Sequence, residues 1–247
     1  MRSRLAVLVF VALLGVQACG AGDSGDGSGT RSVQGEKAQR TEPEDPLTDP
    51  ASWEVAEPRI AESARAAYGA AAVDRAVALA THVTQTSTYR TDLLPSQPRQ
   101  PEEFTFLDDA MTANCRADLR RLVKEALAPG ATQRDLDGLS TFAFWSLGND
   151  TWHLRSELEP RAVGERITAT GVVPADEGVL AVTQQITADL HFTIEGKPRL
   201  VAVGKKITWF IADTDGPDQG DWGTWRLDGW RGTITYGEPR PDPAPAA

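Results

Sequence analysis

Asp189 and His191 are the first residues whose types and spacing could do chemistry. They stand two apart in VLAVTQQITADLHFTI, so in a strand they share one face, as a carboxylate and an imidazole would for proton abstraction. That face also carries Thr183, Gln185, Thr187 and Thr193, opposite Leu180, Val182, Ile186, Ala188, Leu190 and Phe192. The pair is therefore expected in water, with no catalytic role. Asp213, Asp215, Asp218 and Asp221 space four carboxylates through glycines, the oxygen-rich kind of turn that calcium favours. Their register is not D-x-D-x-D-G and no glutamate closes the loop, so they read as an acidic hairpin turn. Trp209, Trp222, Trp225 and Trp230 could line a ligand mouth or a partner surface, although tryptophans in strands are more often core. Cys115 lies in an apolar helical stripe and reads as a small buried hydrophobe rather than a reactive thiol. The chain has no G-x-S-x-G, H-E-x-x-H, Walker loop or C-x-x-C, and His82, His153 and His191 are scattered. No metal, cofactor or catalytic set is implied.

The elements that must position these residues fall in a simple order. Pro58 to about Val83 is rich in alanine and reads as helix, with a possible break at Gly69. Phe104 to Leu127 repeats Leu107, Met111, Cys115, Leu119, Leu122 and Ala126 at spacings of four and three, which predicts a second helix stopped by Pro129-Gly130. Residues 131–158 read as ordered and apolar without a clear type. From Ala162 the period becomes two, predicting strands over Arg166–Val173, Val179–Ile194, Leu200–Ala212 and Trp222–Tyr236. Gly204 stands where a bulge or bend would curve the sheet. Helices followed by long antiparallel strands make an α+β domain over 53–237, with helices on one face of a bent sheet. Residues 238–247, rich in proline and alanine, read as a disordered tail.

At the amino terminus, Arg2 and Arg4 precede ten apolar residues, Leu5–Leu14, and a small-residue exit ending at Cys19. Ten residues cannot span a bilayer core of roughly 30 Å, and the layout is that of a secretory signal peptide over 1–18. Val16-Gln17-Ala18-Cys19 resembles the lipobox of bacterial lipoproteins. That resemblance implies cleavage before Cys19 and a diacylglycerol on its thiol. Two acyl chains at about 0.8 kcal/mol per methylene would supply on the order of 20 kcal/mol of membrane affinity. The segment 19–52, dominated by glycine, serine, acids and proline, is expected to be a disordered tether with an r.m.s. reach of roughly 30 Å.

Cleavage removes two arginines and no acids, taking the net charge from −10 to −12. This sign excludes phosphate-backbone binding as a function, so no nucleic acid is expected, and anionic headgroups should repel the folded domain. Twenty arginines against five lysines resemble the composition of high-GC actinobacteria. The element order resembles the NTF2-like, cystatin-like cone. The ending WRLDGWRGTITYG is similar to the last strands of actinobacterial lipoproteins and Mce-associated proteins with that fold. The resemblance implies a cone whose mouth takes a small molecule or a protein. The expectation is a lipid-anchored extracytoplasmic protein with a non-catalytic binding domain and an envelope protein partner. The alternative is a small-molecule-binding or isomerase-type enzyme on the same cone. A two-lobed receptor for a transporter does not fit this strand order.

Overall fold

A computed structural model of the chain describes residues 53–88, 104–105, 107–131, 133–142, 152–155, 162–214, 216 and 222–243. Cys19, the signal peptide and the tether, Asp215, Asp218, Asp221 and residues 244–247 lie outside them. Two short strands, β1 (Glu54–Val55) and β2 (Arg59–Ile60), lead into helices α1 (Glu62–Tyr68) and α2 (Ala70–Ser87). Helices α3 (Ala113–Ala126) and α4 (Gln133–Phe142) follow. The strands β3 (Trp152–Leu154), β4 (Ala162–Pro174), β5 (Val179–Ile194), β6 (Lys197–Asp213), β7 (Trp225–Tyr236) and β8 (Arg240–Pro241) complete the chain. The domain is α+β, with helices on one face of a largely antiparallel, open sheet.

The sheet runs β1-β4-β5-β6-β7, and short strands extend its ends: β2 beside β4, β3 beside β5, β8 beside β6. β1 and β2 are parallel to β4, and the other pairings are antiparallel. The β5–β6 hairpin turns on Glu195 (φ 52°) and Gly196 (φ 73°), both left-handed, as a two-residue loop matched to strand twist requires. Register slips at Val163/Arg166 and Ile167/Ala169 in β4, and at Phe210/Ile211 against β7. Gly204, expected at a bulge, is instead in continuous register between Thr187 and Thr235. A Cβ there would meet Thr235 Oγ1 at 2.7 Å, so glycine serves close approach rather than a bend.

The helix expected from Phe104 begins only at Ala113. Met111 is extended and bridges Leu227, and the Thr112 amide donates to the Leu227 carbonyl at 2.9 Å, which ties the preceding residues to β7. The Thr112 hydroxyl then caps α3 by accepting from the Cys115 amide at 3.2 Å. Gly69 breaks the first helix into α1 and α2 (φ 79°). Residues 131–158, read only as ordered and apolar, hold α4 and β3. Core side chains of α2 (Val73, Ala76, Leu79, Ala80, Val83) and α3 (Cys115, Leu119, Val123) bury against Leu180, Val182, Ile186, Ile207, Trp209 and Leu227.

Residues 238–243, expected as part of a disordered tail, return to the sheet. Arg240 pairs with Leu200, and the Asp242 carboxylate, 0% exposed as a side chain, reaches across the outer side of the sheet. One of its oxygens accepts from Arg155 at 3.1 Å and lies 2.8 Å from His191 Nδ1. Arg155 and His191 come from opposite sides of the β3–β5 ladder, so this carboxylate ties three strands. The tail is short in apolar residues, which hides this from composition, because the contact is ionic. Asp242→Ala leaves Arg155 buried beside a lost counter-charge and should cost about 3 kcal/mol. Urea denaturation of the variant against the parent checks this, and an unchanged midpoint would show the tie to be idle.

Candidate functional site

The helix-facing side of the sheet holds two polar residues inside its otherwise apolar rows. Gln184 keeps the phase of Leu180, Val182 and Ile186, and Lys205 keeps that of Val201, Val203, Ile207 and Trp209. Both are buried. Gln184 Oε1 accepts from the Thr84 hydroxyl and from Trp209 Nε1 at 3.0 Å, and Trp209 Nε1 also reaches Thr84 Oγ1 at 2.9 Å. Gln184 Nε2 donates to Thr81 Oγ1 at 3.4 Å. A turn further along α2, Lys205 Nζ donates to the Thr88 carbonyl at 2.7 Å. Thr88 is the C-cap of α2, where unpaired carbonyls and the negative end of the helix dipole favour a cation. Burial opposes that charge and holds the Lys205 ammonium well below the usual lysine range. Strict alternation was the sequence signal for both residues: each is the polar exception in an apolar phase.

Asp189 and His191 do share a face, but not the expected one in water. His191 is only 8% exposed, covered and bonded by Asp242, and Asp189 pairs with Arg240. A carboxylate on Nδ1 orients an imidazole as in a catalytic triad. Among the described residues, however, no hydroxyl or thiol bonds to the ring, and Cys115 is buried in the core. The group acts as a cross-strand tie.

The four tryptophans do not form one surface. Trp209 is fully buried and Trp225 is in the core, edge-on to Tyr68. Phe142 of α4 lies between Trp209 (6.1 Å) and Trp230 (4.8 Å), and Trp230 Nε1 donates to the Gly138 carbonyl at 3.3 Å. Trp222, half-buried, stacks on His82 at 4.8 Å. Their aromatic area is used to fix α1, α2 and α4 on the sheet, and Trp209 and Trp225 take the core positions that tryptophans in strands more often take. Asp213 accepts from the Thr224 hydroxyl. No cluster of three or more metal-ligating side chains occurs among the described residues.

The outer face of the sheet is open. Between β2 and β6 it holds a shallow groove of about 240 Å³, lined by Arg59, Thr170, Thr183, Gln185 and Lys206 among others. Thr183 and Thr208 hydroxyls bond across it at 2.8 Å, and the Arg231 guanidinium lies over the Phe210 ring at 5.3 Å. Hydrogen-bonding side chains and cations are thus presented on an open surface, suited to contact with a partner rather than enclosure of a substrate.

Lys205 makes stability depend on alkaline pH. With its ammonium pKa lowered in the fold, the native state binds fewer protons than the unfolded state up to about pH 10.4, so stability rises with pH toward that value. Lys205→Met removes this contribution. Denaturation midpoints taken from pH 7 to 10 should climb more steeply for the parent than for the variant, and the difference cancels the other titrating groups. Parallel curves would mean that the amine is not desolvated.

Comparison of the chain with known protein families, with curated proteins and with solved structures gives no match.

Proposed function

We propose that this is a lipid-anchored protein of the extracytoplasmic membrane face whose folded domain, an NTF2-like cone, binds a partner in the cell envelope without catalysing a reaction. The anchor is Cys19, acylated after cleavage before it. Positive start, short apolar run and a small-residue exit meet at that cysteine. Helices preceding four long antiparallel strands, with slipped register in β4 and β7, support the cone. The observation that carries the binding role is the open outer sheet face with its groove at Arg59, Gln185 and Lys206. The helix-facing side, by contrast, is occupied by Trp209, Phe142, Leu79 and Leu139, each fully buried.

Cell fractionation tests the anchor. Wild-type protein should stay with the membrane, while Cys19→Ala should appear in the medium or remain as unprocessed precursor. Mass spectrometry of the mature amino terminus should show the acyl mass on Cys19; an unmodified end would remove the anchor.

One observation favours the enzyme alternative. Lys205 puts an amine, 3% exposed and desolvated, on the helix-facing side of the sheet, the setting in which lysine serves as a base or carbonyl nucleophile. Incubation with small aldehydes and a hydride reductant distinguishes the readings. A binding domain leaves Lys205 unmodified while surface lysines react; preferential alkylation at Lys205 would favour the enzyme.

A further inference from the structure

The outer face of the sheet is basic in a chain whose net charge is strongly negative. Cross-strand register places its residues in rows. Arg59, Gly171, Thr183, Thr208 and Arg231 make one row across five strands. Ala169, Gln185, Lys206 and Thr233 make the next. Glu54, Arg166, Thr187, Gly204 and Thr235 make the third. Arg59, Arg166, Lys206 and Arg231 are all exposed. At about 4.8 Å per strand, Arg59 and Arg231 lie about 19 Å apart, so the cations cover the face rather than one corner. Within these rows the only acid is Glu54, at the edge, and Asp189 beyond them is paired with Arg240.

The helices carry both signs: Glu62, Asp74, Asp118 and Glu125 stand among Arg65, Arg75, Arg116, Arg120, Arg121 and Lys124, and Asp176 and Glu177 sit in the β4–β5 turn. The helix layer is about 10–12 Å thick, more than the Debye length of about 8 Å in physiological salt. An anionic surface laid against the sheet therefore meets the four cations first, while the charges of both signs on the helices are screened from it. The chain also enters at this face: β1 and β2 line its edge, and the tether to Cys19 leads directly into Trp53.

We propose that the outer face of the sheet docks the domain on the anionic headgroups of the membrane that holds its anchor. The choice of occupant rests on the lipid-anchor reading. The face carries hydroxyls and guanidinium groups at several heights along the strands, and its groove at Arg59, Gln185 and Lys206 is shallow. Such a surface recognises a sheet of phosphates without sequence or shape. The anchor sets location, and the face sets orientation, turning the helix layer outward.

The test uses the mature chain carrying Cys19→Ser, which has no acyl group, with vesicles of phosphatidylcholine alone or mixed with phosphatidylglycerol. At physiological ionic strength the protein should sediment with the phosphatidylglycerol vesicles, stay free of the neutral ones, and be released by added salt. Each cation near the surface is worth about fivefold in partitioning, so the double variant Lys206→Glu and Arg231→Glu should lower it by at least about 25-fold. Arg75→Glu with Lys124→Glu, on exposed positions of α2 and α3, makes the same charge change on the opposite layer and should leave partitioning within about twofold. Circular dichroism of both double variants confirms that they fold. Equal loss in the two pairs, or no preference for phosphatidylglycerol, would overturn the proposal. A dimer broken only by the face variants, or an acidic protein bound in place of vesicles, would assign the face to another occupant and overturn it equally. Because no acyl group is present, failure here leaves the Cys19 anchor standing, and failure of acylation leaves this measurement unaffected.

Discussion

The continuous register of the β5–β6 hairpin is the constraint on which the rest of the structure depends. From Ile194↔Lys197 at the turn to Val179↔Ala212 at the far end, every residue of β5 has a partner without a slip. Side chains alternate along a strand, so this one alignment decides the face of every residue in the two longest elements. A slip by one residue would carry Leu180, Val182 and Ile186 into water and bring Lys206 and Thr208 under the helices. The turn that fixes the alignment needs two left-handed residues, and Glu195 accepts that conformation as the sole non-glycine among the described residues to do so. The irregular pairings are displaced outward, into β4 and β7, where a slip bends the sheet without disturbing its centre.

Within that frame, the buried polar residues select an arrangement more than they stabilise it. Thr84, Gln184 and Trp209 satisfy one another in a closed group of hydrogen bonds. An apolar substitute would pack as well, but it would not prefer one rotation of α2 over another; leaving one member unpaired costs about 1–3 kcal/mol. Lys205 does the same one turn later by meeting the open carbonyl end of α2. Together these contacts fix both the rotation and the axial position of a helix whose alanine-rich face would otherwise slide on the sheet.

Much of this architecture was legible because it rests on period. The alternation in VLAVTQQITADLHFTI gave β5 its observed ends, and the switch from helical to strand period at Ala162 marked the start of β4. What was not legible depended on contacts between distant segments. The start of α3 moved from Phe104 to Ala113 because Met111 and Thr112 bond to Leu227, more than a hundred residues away. His191 was placed in water because the strand that covers it is short, proline-rich and anchored by a single carboxylate, and none of these features carries a periodic signal. The tryptophans were ambiguous for a related reason: a large ring at a strand position suits a core or a surface equally, and only the docking of Phe142 and Tyr68 decides. Gln184 and Lys205 were visible as exceptions to alternation, and such exceptions mark where a helix end or a hydroxyl must arrive from elsewhere in the chain.

Net charge is a coarse reading, and the reason is general. A total is a single scalar, whereas interaction across a Debye length of about 8 Å responds to the charges on the facing surface. Here Arg59, Arg166, Lys206 and Arg231 occupy outer strand positions whose rows hold Glu54 as their one acid, while the helices carry charges of both signs. The same alternation that puts leucine and isoleucine inward must put the other residues of each strand outward, so cations at those strand positions gather on one face whatever the total charge. Such a molecule is repelled by a phosphate surface at long range and attracted by it at contact in one orientation. If the domain is tethered within roughly 30 Å of a membrane, as proposed above, the covalent link offsets the long-range term, and the contact term chooses which face turns inward.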